Sequence, residues 1–383
     1  EETTKSGMGV SLTCGTNWSN ANLTTINPDD PAAAQEIDFA EEILSAGQTK
    51  KGALKMPKLF MPGVTRQTLV AVTATRITGK EGEQTVLDPK ASFVLTQKVQ
   101  DQELEWTAPD DGDYLLCTFT IHGTGQTAEP SCSTSWTVNY MDHYGIDAFI
   151  KYWDEEVIVG EMKENLEKNG RGMMYMDSLE LGTFGQGGQL WGFHYVEEFK
   201  ARRGYDVTAY LPLVMKKPGM MLPVYEYYYT CEDKVFLQKL FNDLYQTTTD
   251  MYCENMMKPM QEWLHTHNMT LRSEISYGLP FEISQPGKYV DGIETESLEF
   301  ASQIDSYRGL AGAAHVYNRT YSSETGATLK NYMMGLDFYM QIIYTQFAAG
   351  VTKTVLHGYA SVRGSEASTY WPGHEGMWPV FSE

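Results

Sequence analysis

Basic residues are scarce in this chain: 29 Lys and Arg stand against 50 Asp and Glu, a formal charge of −21 over 383 residues. That balance excludes a phosphate-binding footprint and so argues against nucleic acid as a partner. It equally argues against an anionic membrane surface. A neutral ligand such as a carbohydrate is compatible with it. No apolar run approaches the ~18 residues that a membrane span needs. The opening residues, Glu1 to Ser6, are polar and hold no apolar signal core, so either a targeting segment was removed or the chain starts inside a longer gene product. The expected location is outside the cytoplasm, periplasmic or secreted. The cysteines Cys14, Cys117, Cys132, Cys231 and Cys253 form no C-x-x-C pair, which speaks against structural zinc and for buried free thiols. A Gly-x-Ser-x-Gly elbow is missing, as is a glycine loop meeting Lys-Ser/Thr, so serine hydrolysis and phosphate binding lose support. Gly185-Gln-Gly-Gly reads as a flexible loop.

What is present is a globular composition, 42% hydrophobic and 21% charged, on a chain long enough for one large α/β domain and a smaller one. Residues 9–18 read as a buried strand running into a polar loop. Residues 19–55 are rich in Asn, Asp, Pro and Ala, with a short helical patch near Ile37 to Leu44. Over 58–140 the character changes to β-branched and aromatic runs, Leu69-Val-Ala-Val-Thr-Ala-Thr and Tyr114-Leu-Leu-Cys-Thr-Phe-Thr-Ile among them, punctuated by turns such as Pro109-Asp-Asp-Gly-Asp. This predicts a small inserted antiparallel β module. Beyond about residue 143, strand and helix patterns alternate, which implies a parallel sheet covered on both faces. Barrel strands are expected at 9–14, 172–177, 269–275, 292–296, 319–324 and 352–359. The expected fold is therefore α/β: an incomplete (β/α)8 TIM-type barrel, with 1–57 as a barrel strand and loop, 58–140 as the module and 141–383 as the rest of the barrel. Two strands are expected upstream of Glu1, because a closed barrel of this type has eight.

Acids recur where these strands end: Asp177 and Glu180, then Glu274, Glu296 and Glu324, with His357 and Tyr359 at the last. In a parallel barrel all such ends share one face, so these residues converge. Glycoside cleavage needs one carboxyl that holds a proton and one that is ionised, and crowding carboxylates raises the pKa of at least one. A single Glu at a strand end is ordinarily just a solvated loop residue; the joint pattern carries more weight than any member. Trp191 and Trp18 stand where an indole would stack on a sugar, or would pack inward instead. His315 lies late in a helix, where a histidine is more often structural than catalytic.

The run Met176-Asp-Ser-Leu-Glu, Leu190-Trp, Glu197-Glu-Phe-Lys-Ala-Arg-Arg-Gly-Tyr-Asp and Tyr210-Leu-Pro resembles glycoside hydrolase family 106, the α-L-rhamnosidases. Gly292-Ile-Glu-Thr-Glu, Ala313-Ala-His-Val-Tyr-Asn-Arg-Thr-Tyr-Ser-Ser-Glu-Thr and Leu356-His-Gly-Tyr follow in the family's order. The resemblance covers most of 7–360. It implies a (β/α) barrel, an exo-acting inverting hydrolysis of terminal α-L-rhamnosyl units from a plant or microbial polysaccharide or glycoside, and a calcium ion near the sugar hydroxyls whose ligands are unassigned. By position it implies Glu180, Glu296 and Glu324 as catalytic carboxylates. Asp177, Trp191, Glu274, His315, His357, Tyr359 and Trp18 are the expected substrate-binding residues. The chain departs from the family pattern at Thr16-Asn-Trp-Ser-Asn and at Ser297-Leu298, both near the expected sugar site. A non-catalytic carbohydrate-binding barrel and a glycosidase of other sugar specificity are the alternatives.

Overall fold

The computed structural model describes residues 2–15, 21–127, 134–219, 225–276, 279, 281–300, 303–326 and 336–357. They fall into two units. The first comprises Glu1–Cys14, Val157–Leu179 and Met257–Glu383; the second comprises Gly15–Glu156 and Glu180–Met256.

The first unit is built on a six-stranded sheet of Val10–Thr13, Gly172–Met176, Met269–Glu274, Gly292–Glu296, Thr320–Thr325 and Lys353–Leu356. The spatial order equals the chain order, and every pairing is parallel. Parallel neighbours need a crossover, and helices Gly160–Asn169, Lys258–Thr266, Ile304–Tyr317 and Leu336–Ala349 each precede a strand. The four inner strands are short and buried along most of their length, as a sheet covered on both faces demands, while the edge strands Val10–Thr13 and Lys353–Leu356 are only half-buried or exposed. The helices stop where the sequence lets the chain turn left-handed: Gly170 at φ 62°, Asn318 at φ 53° and Gly350 at φ 110°. All six expected strands are present, each within a few residues of its predicted bounds.

The second unit holds an antiparallel sheet ordered Gln189–Leu190, Gln35–Leu44, Tyr114–Gly123, Thr68–Glu81, Gln84–Val94 and Tyr229–Cys231, the last pairing parallel to its neighbour. Its core gathers Leu44, Val72, Ala74, Leu104, Trp106, Tyr114 and Leu116. Two expectations change here. Residues 37–44 are extended, because Gln35–Leu44 pairs along all ten residues with Tyr114–Gly123; that ladder outweighs a local helical spacing. The module is also larger than 58–140. It takes strands from 35–44, 189–190 and 229–231, and it carries helices Tyr195–Arg203 and Lys234–Tyr252. Both of its segments leave the chain just beyond the C-terminal end of a parallel strand, after Thr13 and after Met176. Cys117 and Cys231 are buried free thiols, as expected, and Cys14 and Cys253 are buried too.

Candidate active site

Register decides which side chains of the parallel sheet share a face. Glu274 pairs with Glu294, which pairs with Ser322; two residues on, Glu296 pairs with Glu324. Side chains alternate along a strand, so all five project to the same side in two successive layers. One layer below, Tyr175 pairs with Arg272, which pairs with Gly292. A β-carbon on Gly292 would lie 2.8 Å from Thr320 Oγ1 and 3.3 Å from Arg272 Cγ, so the glycine leaves room for the arginine side chain.

The carboxylates crowd at the C-terminal ends of these strands. Closest oxygens of Asp177, Glu274 and Glu324 lie within 4.8 Å of one another, and so do the nearest ligating atoms of Glu296, Glu324 and His357. The Tyr175 hydroxyl donates to Glu324 Oε2 at 3.1 Å, with Asp177 Oδ1 at 3.4 Å and Glu274 Oε1 at 3.5 Å around it. His357 Nδ1 contacts Glu324 Oε1. Arg272 lies 4.3 Å over the Tyr175 ring and 3.3 Å from Glu294 Oε2, and Ser322 donates to the same carboxylate.

These surroundings set the proton affinities. Burial, followed by the charges of Glu324, Glu296 and Asp177, holds the Glu274 carboxyl well above the usual range. Its Oε2 has no hydrogen-bond partner among the described residues. Burial and the Glu324 charge push Asp177 up to about 6, against the Ser178 backbone N–H. Burial also raises Glu294, although Arg272 opposes it. The cluster therefore keeps protonated and ionised carboxyls side by side near neutral pH, which is what acid–base cleavage uses.

Asp177, Glu274, Glu296, Glu324 and His357 are thus brought together, as their strand-end positions predict. Glu180 falls in the second unit, where its carbonyl accepts from Gln126 Nε2 at 2.6 Å. Trp191 is 1% exposed and stacks on Tyr195 with ring centroids 3.8 Å apart, so its packing is inward and no face is presented to a sugar. His315 is exposed in the last turn of helix Ile304–Tyr317, which leads into the N-terminal end of the next strand. That is the opposite end of the sheet from the carboxylates, and a substrate-binding role does not fit it. Trp18 and Tyr359 lie outside the described residues.

Three members of the cluster escaped the sequence reading: Tyr175, Arg272 and Glu294. Each stands two residues before an acid that was noticed, Arg272 and Glu294 on the same strand as that acid and Tyr175 near the end of the strand that Asp177 follows. A charged or phenolic residue inside an otherwise buried parallel strand is the signal that could have found them.

The oxygen-rich triad of Asp177, Glu274 and Glu324 suits a hard cation such as calcium. The uncompensated Glu274 oxygen is the observation in favour.

The family model of glycoside hydrolase family 106, described as alpha-L-rhamnosidase, matches residues 65–373. The search of curated proteins finds no match. Among solved structures, a rhamnosidase from Novosphingobium sp. PP1Y is similar in fold, with a TM-score of 0.64 at 12% identity. The match covers 93% of this chain and 48% of that one, so the chain spans about half the length of this structural relative. Both the family match and the half-barrel of parallel strands with its rim of carboxylates lead to one assignment: the chain belongs to glycoside hydrolase family 106, the α-L-rhamnosidase family.

Proposed function

We propose that the protein hydrolyses terminal α-L-rhamnosyl units of a polysaccharide or glycoside, exo-acting and with inversion, outside the cytoplasm. The observation that carries the reading is the convergence of Asp177, Glu274, Glu296 and Glu324 at the ends of consecutive parallel strands. In this reading the six strands belong to a complete barrel. One carboxyl gives its proton to the leaving oxygen while another takes a proton from the attacking water.

Separation constrains which two act. An inverting pair leaves room for a water and stands roughly 6.5–9.5 Å apart, whereas carboxyls near ~5 Å suit retention. Glu296 and Glu324, register-matched neighbours with oxygens within 4.8 Å, are too close to be that pair. Glu324 is the proposed base, and Glu180, carried by the family resemblance, is the proposed acid. Tyr175 and His357 fix the orientation of Glu324. Glu296 binds or orients the sugar in this scheme. Asp177, Glu274 and Glu324 would hold calcium, which supplies positive charge and an anchor for sugar hydroxyls. Loading that set requires Glu274 to ionise, so protons are released when it fills.

The test follows the product anomer by NMR during hydrolysis of an aryl α-L-rhamnoside by the full-length protein, with and without a calcium chelator. The expected first product is the inverted anomer, with turnover lost on chelation. A retained anomer would refute inversion. Turnover unchanged after complete chelation would refute the metal. No turnover of rhamnosides, alongside turnover of another aryl glycoside, would reassign the sugar.

A further inference from the structure

The glycine-rich segment that follows the Asp177 strand is held along its backbone by side chains of the antiparallel sheet. Gln126, 8% exposed, brackets the start: its Nε2 donates to the Glu180 carbonyl at 2.6 Å and its Oε1 accepts from Gly182 N–H at 2.9 Å. Glu36 Oε2 then accepts from the N–H groups of Phe184 at 2.8 Å and Gly185 at 3.0 Å. Asp38 Oδ1 accepts from Gln186 at 2.7 Å and Gly187 at 3.1 Å. Glu36 and Asp38 are both 0% exposed on strand Gln35–Leu44, and His122 on the neighbouring strand has Nε2 3.4 Å from Asp38 Oδ2.

The glycines make this approach possible. A β-carbon on Gly185 would lie 2.7 Å from Asp38 Oδ2, and one on Gly187 would lie 2.0 Å from the Ile37 carbonyl oxygen. Gly188 has φ +66°, and a β-carbon there would lie 2.2 Å from the Lys216 carbonyl oxygen. Gly185-Gln-Gly-Gly, expected to be a flexible loop, is instead pressed onto a strand and bonded residue by residue.

We propose that Gln126, Glu36 and Asp38 are positioning residues that clamp the backbone of 180–187 and thereby set where the Glu180 carboxyl stands. The proposal rests on the reading of Glu180 as one of the catalytic pair. Two buried acids on one strand have been given to backbone amides of another segment, and the first anchored residue of that segment is the glutamate itself. A strand-end loop left to solvent would scatter a catalytic group over several ångströms, and a misplacement of ~1 Å can cost ~10²-fold in rate.

The experiment uses the full-length protein and an aryl α-L-rhamnoside with a poor leaving group. Gln126→Met keeps the side-chain shape and removes both hydrogen bonds. It should lower kcat at least tenfold while KM moves less than threefold, and Gln126→Glu, which retains the acceptor for Gly182, should recover part of the loss. Glu180→Gln, assayed in parallel, should abolish turnover. Hydrogen exchange of the wild-type protein provides a reading that needs no variant: amides 182, 184, 185, 186 and 187 should be protected to the level of strand Tyr114–Gly123. Gln126→Met turnover within twofold of wild type overturns the clamp while the Glu180 reading stands. Unprotected amides in 182–187 overturn it even where Gln126→Met fails to fold. Glu180→Gln turnover near wild type sinks the Glu180 reading, and the positioning role falls with it although the amides stay protected.

Discussion

Two groups of buried carboxylates in this molecule share residue types and differ in what surrounds them. On strand Gln35–Leu44, Glu36 and Asp38 face backbone N–H groups, five of which donate to them, and a histidine. At the ends of the parallel strands, Asp177, Glu274 and Glu324 face mainly one another. In the first group one oxygen of each acid holds a loop, while Glu36 Oε1 has no hydrogen-bond partner among the described residues and burial lifts Glu36 to about 7. In the second, Glu274 Oε2 likewise has no partner among the described residues, and the Glu324 charge adds to burial in raising both Glu274 and Asp177. Burial and a spare oxygen are common to both groups; what sets the second apart is several carboxylates raising one another's proton affinity.

The sharpest way to break this contrast is to remove one charge from each group. Glu324→Gln should leave the fold intact and cut kcat by ~10²-fold or more on a poor leaving group, measured by steady-state kinetics. A loss under threefold would move the chemistry elsewhere.

The second prediction concerns stability against pH. Burial lifts Glu36 from 4.5 to about 7, with the His122 charge and the Gly185 and Phe184 N–H groups opposing the rise. A folded-state value above the unfolded one means stability fully present below pH ~4.5 and lost as the pH climbs through about 7. The span corresponds to on the order of 3 kcal/mol. Glu36→Gln still offers an oxygen to the loop N–H groups but does not titrate. Its thermal midpoint should fall less than that of wild type between pH 4.5 and pH 7. Parallel curves for the two proteins would show that Glu36 does not titrate in this window. His122, which Asp38 and Glu36 raise against the desolvation that lowers it, titrates beside it and is common to both proteins.

The smallest effect is expected at His315. It is exposed, at the far end of the sheet, and His315→Ala should change stability by less than ~0.5 kcal/mol and leave KM unaltered. A several-fold rise in KM would restore it to the sugar site.

The parallel sheet was readable because its strands are short and alternate with helix patterns along the chain, so periodicity alone separates the elements. The order Asp177, Glu274, Glu296, Glu324, His357 was readable too, since a parallel sheet sends every strand end to one face. The antiparallel sheet was harder. Gln35–Leu44 looked helical because its partner lies some eighty residues further on, and a ladder with Tyr114–Gly123 is invisible to a local window. Trp191 was an even choice from sequence; only the Tyr195 ring against its face settled it.

The sequence by itself determined the family: an acidic chain with carboxylates at successive strand ends and the ordered segments of family 106. Tertiary structure alone decided which of those carboxylates are neighbours. Register set Glu296 beside Glu324 and drew Tyr175, Arg272 and Glu294 beneath them. It also turned a glycine run from a loop into a clamped segment. The reason is common to both: proton affinity and hydrogen-bond satisfaction depend on which groups lie within a few ångströms, and in a sheet those neighbours come from other strands, far away along the chain.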